Sequence, residues 1–207
     1  MSRLITFGCS YTYGQGLPGC KVGNNSTKFS NTPSDFAWPS VLSKMFNIEV
    51  VNKGIPGSSN LEILYHILNF KFEKDDIVIC MWSLPDRDLY FKSNKGFKPF
   101  KQLGIWLRHR NKLEDIWFKN LNFTDNCIKS WIYIHHADLY LSNLNLKYIH
   151  YPIIPHLLEE YKPSFIQNIR NLHTEGFVNI DTCEADNHPG INSHIKTAEK
   201  IFKILNE

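Results

Sequence analysis

The chain has 207 residues, a length that suits one domain, and its 43% hydrophobic and 21% charged residues suit a soluble globular protein rather than a disordered one. Its 23 basic and 20 acidic side chains are scattered and give a net charge of only +3, so no basic patch argues for nucleic acid. The five cysteines show no spaced framework for disulfides, and no run of about 18 apolar residues argues for a membrane span.

The first apolar run, Leu4 to Phe7, reads as a buried strand that ends in Gly8-Cys9-Ser10-Tyr11-Thr12-Tyr13-Gly14. The segment Pro18 to Ser34, rich in Gly, Asn, Ser and Thr, reads as a loop beside that turn. A helix follows from Trp38-Pro39 to about Phe46, with Pro39 tolerated in its first turn. Ile48 to Asn52 is a short strand leading to a loop with Gly54 and Gly57, and a helix runs from Ser58 or Ser59 to about Phe70. Ile77 to Met81 is a fully buried strand whose continuation, Trp82, Ser83 and Arg87, should emerge at the same rim.

The region at about 93–122 is aromatic, basic and irregular and reads as an insertion. Its aromatics are Phe97, Phe100, Trp106, Trp117 and Phe118, and its basic clusters are Lys92 to Lys101 and Arg108 to Lys112. A long helix is expected from about Thr124 to Asn143; its adjacent His135 and His136 project in different directions and make a poor metal site. Then come a strand from Leu146 to Ile154, a short helix from Phe165 to Leu172, a last short strand from Phe177 to Ile180, and a closing helix from Ile191 to Leu205. Alternating strands and helices predict a three-layer α/β/α sandwich around a parallel sheet of about five strands, residues 1–207 forming a single domain.

Strand ends at the carboxyl edge of such a sheet face the crevice where chemistry is done, which draws attention to Ser10. A serine hydroxyl becomes a nucleophile when an imidazole takes its proton and a carboxylate orients the imidazole. His188 and Asp186, in Asp186-Asn187-His188-Pro189, fill those roles, with Asp181 and Glu184 as rival carboxylates and His194 as a rival base set back on a helix. The amides of Ser10 and Gly57 would form a two-donor hole for an oxyanion. Trp82 and Ser83 are candidate substrate contacts, and His156 is another. Cys9 offers a thiol as a rival nucleophile, but it reads as a small buried packing residue, with the working side chain at Ser10. The bland alternatives are that Ser10 caps a helix and that Asp186-x-His188-Pro189 is a solvated turn.

Gly8-Cys9-Ser10, the glycine-bearing stretch Asn52 to Asn60, and Asp186-Asn187-His188-Pro189 together resemble the blocks of the SGNH hydrolases, the GDSL-like esterases and lipases. Cys9 stands where that family has aspartate, and one residue rather than the usual two separates acid from base. The resemblance implies a flavodoxin-like arrangement of the sheet and cleavage of a carboxylic ester without metal or organic cofactor. The substrate would be a small molecule or carbohydrate, with acetyl the expected acyl group. No asparagine follows Met81 where the family's Gly-x-Asn-Asp block would supply an oxyanion donor, so Asn60 or Arg87 is expected to substitute. A catalytically weak or inactive binding module, such as a viral accessory protein, is the competing reading. The start Met1-Ser2-Arg3, entering the first strand at once, implies a cytoplasmic location, with virion association as the other option; oligomeric state is not legible.

Overall fold

The computed structural model describes residues 2–20, 32–91, 100–104, 112–166, 168–184 and 186–207. Its centre is a four-stranded sheet of β1 (Arg3–Gly8), β2 (Glu49–Gly54), β3 (Ile77–Trp82) and β6 (Lys147–Pro152), all parallel, in the order β2-β1-β3-β6. Parallel strands are covered on both faces, so their side chains alternate between two apolar layers rather than between core and water. Ile5, Phe7, Val78, Cys80 and Trp82 face α3 (Asn60–Leu68) and α5 (Phe123–Asn143), meeting Ile63, Ile67, Trp131 and Ile134. Leu4, Ile79, Met81, Ile149 and Tyr151 face α2 (Trp38–Phe46) and α7 (Ile191–Asn206), meeting Trp38, Leu42, Ala198 and Ile201. The result is the expected α/β/α sandwich.

Local chemistry sets the helix ends. Ser59 accepts from the Glu62 amide at 3.3 Å and caps α3, whose first residue is Asn60. Asn122 does the same for α5 through Asp125 at 3.1 Å. Helix α2 closes on Asn47 in the left-handed region, φ 52°.

Two expectations are corrected. The strand expected over residues 177–180 forms no ladder: Phe177 N–H reaches Ile153 O at 3.1 Å, and then the chain turns to Ser193 and Thr197 of α7, which take its amides, so the parallel sheet has four strands. The helix expected over Phe165 to Leu172 is absent among the described residues; the segment instead lies against β6, with His150 N–H donating to Asn171 O at 2.9 Å. A tertiary ladder partner has overridden helical spacing there. A short helix, α6 (Pro155–Glu159), lies between β6 and that segment in the chain.

The insertion is more regular than its composition suggests. β4 (Asp88–Phe91) and β5 (Phe100–Leu103) pair antiparallel, and α4 covers Lys112–Lys119. Residues 21–31 of the polar loop, and Phe97, Trp106 and most of both basic clusters, lie outside the described residues.

Candidate active site

Ser10 opens a single helical turn, α1 (Ser10–Tyr13), directly after β1. Cys9 precedes it in extended conformation, its carbonyl accepting from the amides of Thr12 and Tyr13 at 3.0 Å. Gly8 is compulsory, because a Cβ there would collide with the Thr12 side chain and lie 3.0 Å from Met81 O. The neighbouring strand end is tied to this turn. Asn52 donates through Nδ2 to Thr12 O at 2.8 Å and accepts from Gly54 N at 2.9 Å, and Ile55 N–H donates to Gly8 O at 2.9 Å. Gly57, φ 82°, stands in the loop so positioned; this backbone favours glycine. From the insertion, Gln102 Nε2 reaches Pro56 O at 3.2 Å and Glu62 Oε2 at 2.8 Å, bracing the same loop.

The other end of the chain comes to this turn. Asn187 adopts φ 59°, a left-handed conformation that asparagine tolerates, and folds Asp186 and His188 onto each other. His188 Nδ1 lies 3.1 Å from Asp186 Oδ2, at an angle that falls short of a hydrogen bond, and its amide donates to Asp186 Oδ1 at 3.3 Å. Gln15 Nε2 donates to Asp186 Oδ2 at 3.0 Å, and Gly16 lies so close that any side chain would strike the carboxylate. The His188 ring packs edge-on against Tyr11, 5.9 Å between centroids. Tyr11 directly follows Ser10.

Ser10 itself is 2% exposed, and its Oγ points to Cys9 Sγ at 3.9 Å; no hydrogen bond joins it to His188 among the described residues. Apo sites often hold such bonds long and tighten them only around a reacting molecule.

The rival acid and base are occupied structurally. Asp181 accepts from the amides of Asn192 at 3.0 Å and Ser193 at 2.7 Å, capping α7, whose own N-cap residue is Gly190. Burial acts to raise the Asp181 carboxyl, and these donors hold it below the ordinary carboxylate range. His194 is buried, its Nδ1 accepts from Trp38 N at 3.1 Å, and burial pushes it down to about 4.

Asn60, expected as an oxyanion donor, is committed elsewhere. Its Nδ2 donates to Ser83 O at 3.1 Å and Ser130 Oγ at 2.9 Å, while its Oδ1 accepts from Ser83 N at 2.7 Å. It clamps the end of β3 to α5. Arg87 Nη1 donates to Ser83 Oγ at 2.9 Å, and its charge acts to lower the Tyr11 hydroxyl, which burial raises. Arg87 therefore belongs to the rim. Trp82 and Ser83 are not exposed substrate contacts: both are buried. Trp82 Nε1 donates to His150 Nδ1 at 3.1 Å, and His150 Nε2 lies 3.7 Å from Asp138, which also accepts from Tyr148 at 2.8 Å. That chain is core, and burial pushes His150 down. His156 is exposed, as a substrate contact would require. No cluster of three or more metal-ligating side chains occurs among the described residues.

Gln15 and Asn52 are the organising residues that motif reading did not single out for a role. Nothing in the sequence near Gln15 signals a partner 171 residues away.

No family model and no curated protein matches the chain. Solved structures do. A lipolytic protein of the G-D-S-L family from Desulfitobacterium hafniense is 16% identical over 98% of both chains, with a TM-score of 0.54. The chain has the SGNH hydrolase-like fold. An acetyl xylan esterase from the rumen bacterium Butyrivibrio proteoclasticus shares this SGNH-like fold at a TM-score of 0.62 and 12% identity, over 99% of this chain and 63% of that one. TesA shares it at 0.57 and 14%, over 99% and 98%. In the SGNH-like frame, Ser10 follows the first strand and the Asp186–His188 pair precedes the last helix.

Proposed function

We propose that the protein is a serine hydrolase that cleaves a carboxylic ester, removing a small acyl group such as acetyl from a carbohydrate or similarly polar substrate. The observation that carries this reading is the Asp186–His188 pair at 3.1 Å, its imidazole packed on the residue next to Ser10. The SGNH-like fold, shared with esterases at low identity, supports it; the acyl and carbohydrate preference is analogy with those neighbours.

In this reading Ser10 Oγ turns from Cys9, gives its proton to His188 Nε2 and bonds the carbonyl carbon. The carbonyl electron pair moves to oxygen, which the amides of Ser10 and Gly57 receive. Collapse expels the alkoxide, protonated by His188, and water then releases the acyl group by the same route. Asp186, itself held by Gln15, fixes the imidazole and balances its charge. With Asn60 committed to Ser83 and Ser130, Arg87 is the remaining side-chain candidate for a third donor.

That commitment also favours a second reading, a weak or inactive binding module, since one missing oxyanion donor costs about 2.7–4 kcal/mol of transition-state stabilisation. A fluorophosphonate probe and p-nitrophenyl acetate separate the two. Labelling at Ser10, with hydrolysis falling at least about 10³-fold in Ser10→Ala and His188→Ala, is expected. An unlabelled Ser10, or activity that dies in Cys9→Ala but survives in Ser10→Ala, overturns the assignment.

A further inference from the structure

A cavity of about 1160 Å³ lies beside the candidate site rather than over Ser10. It opens where the chain splays after β6. Ile153 stays with the sheet, its amide donating to Trp82 O at 3.0 Å, and residues 172–177 return alongside it. Tyr151 Oη donates to Gly176 O at 2.6 Å, and Gly176, φ 71°, packs so closely on Pro155 and Ile153 that a side chain there is barred. Helix α6 leaves on the other side. The groove between them is continuous with the site through Tyr11, whose ring touches both Phe177 at 5.0 Å and His188 at 5.9 Å.

Its lining combines aromatic rings, Tyr11 and Phe177, with the uncharged polar side chains of Asn168, Thr174 and Asn179. Rings that pack on C–H faces together with groups that both donate and accept match a polyhydroxylated ligand. The charges are one-sided. Glu159, Glu160 and Glu175 line the groove against one lysine, Lys162, which is held over the Trp131 ring at 5.2 Å. Lys200 pairs with Glu175 at 3.2 Å, so with Lys162 counted as well one carboxylate of the Glu159–Glu160 pair remains in excess. A chain of net charge +3 carries no general acidic bias that would produce this.

Resting on the reading of Ser10 and His188 as the reacting centre, we propose that this groove binds the alcohol portion of the ester, an uncharged or amino-bearing oligosaccharide, and discriminates against uronic or phosphorylated sugars. The groove's volume lies at the upper end of ligand-pocket sizes, about 300–1,000 Å³, and leaves room for more than one sugar ring.

The test is calorimetric titration of the wild-type protein with cellotriose, triglucosamine and trigalacturonate, none of which carries an ester. Cellotriose and triglucosamine should bind, trigalacturonate at least about ten-fold more weakly at low salt, and Glu159→Gln/Glu160→Gln should narrow that gap to about three-fold. Phe177→Ala should weaken cellotriose binding in a protein whose circular dichroism is unchanged. Binding of none of the three, or trigalacturonate binding as tightly as cellotriose, overturns the proposal. Ser10 labelling is read separately: saccharide binding without labelling removes the hydrolase reading and leaves the groove as a saccharide site, whereas labelling without binding removes the groove alone.

Discussion

His194 sets a measurable pH dependence of stability. Its imidazole is 1% exposed, its Nδ1 is taken by the Trp38 amide, and its ring packs 5.2 Å from Phe177, so the folded protein resists protonating it. Burial is the main cause of its fall from 6.5 to about 4; His188 adds to the depression and Asp181 opposes it. A histidine whose folded value is lowered contributes stability that is fully present above the unfolded value, because below it the unfolded chain gains a proton that the native protein refuses. The loss therefore begins near pH 6.5 and continues until about pH 4. Between about pH 7.5 and pH 5 it amounts to about 2 kcal/mol, at 1.36 kcal/mol per unit.

The comparison is wild type against His194→Asn, whose side-chain oxygen still accepts from Trp38. Urea unfolding at both pH values gives the two free energies. The other histidines pushed down by desolvation, the buried His150 and the half-buried His66 and His173, act in both proteins and cancel. The advantage of wild type over the variant should shrink by about 2 kcal/mol on going to about pH 5. A difference constant to within about 0.5 kcal/mol would refute the reasoning, since no proton would then separate the two states at this position.

Asn60→Ala should cost about 2–4 kcal/mol in urea unfolding, because it strands the Ser83 amide and carbonyl that Asn60 satisfies; Asn60→Asp should be comparably damaging, as its carboxylate cannot donate to Ser130. Asp181→Ala should lower stability by about 1–2 kcal/mol through loss of the α7 cap while leaving p-nitrophenyl acetate hydrolysis unchanged. Asp186→Asn, by contrast, should cut hydrolysis by about 10³-fold or more with little change in unfolding midpoint.

Local patterning carried most of the scaffold. Trp38 to Phe46, Ile77 to Met81 and the long helix ending at Asn143 fall within a residue or two of their expected bounds, because apolar periodicity and capping residues act over neighbouring positions. Residues 165–172 and 177–180 went otherwise, since each found its hydrogen-bond partner on a distant element: Asn171 on β6, Ile180 on α7. The same distinction runs through the site. Residue type and spacing nominated Ser10, Asp186 and His188 as candidates, but the partner each polar side chain meets was not legible. Asp181 and Asp186 are both carboxylates of one loop; only the folded chain turns the first to the α7 amides and the second to His188. Likewise Asn60 became a clamp because β3 and α5 arrived at its two faces. A sequence fixes which groups are able to donate, accept or attack, whereas which partner each one meets is decided by packing between segments far apart in the chain, where a buried polar atom is strongly favoured to pair with whatever the fold brings near it.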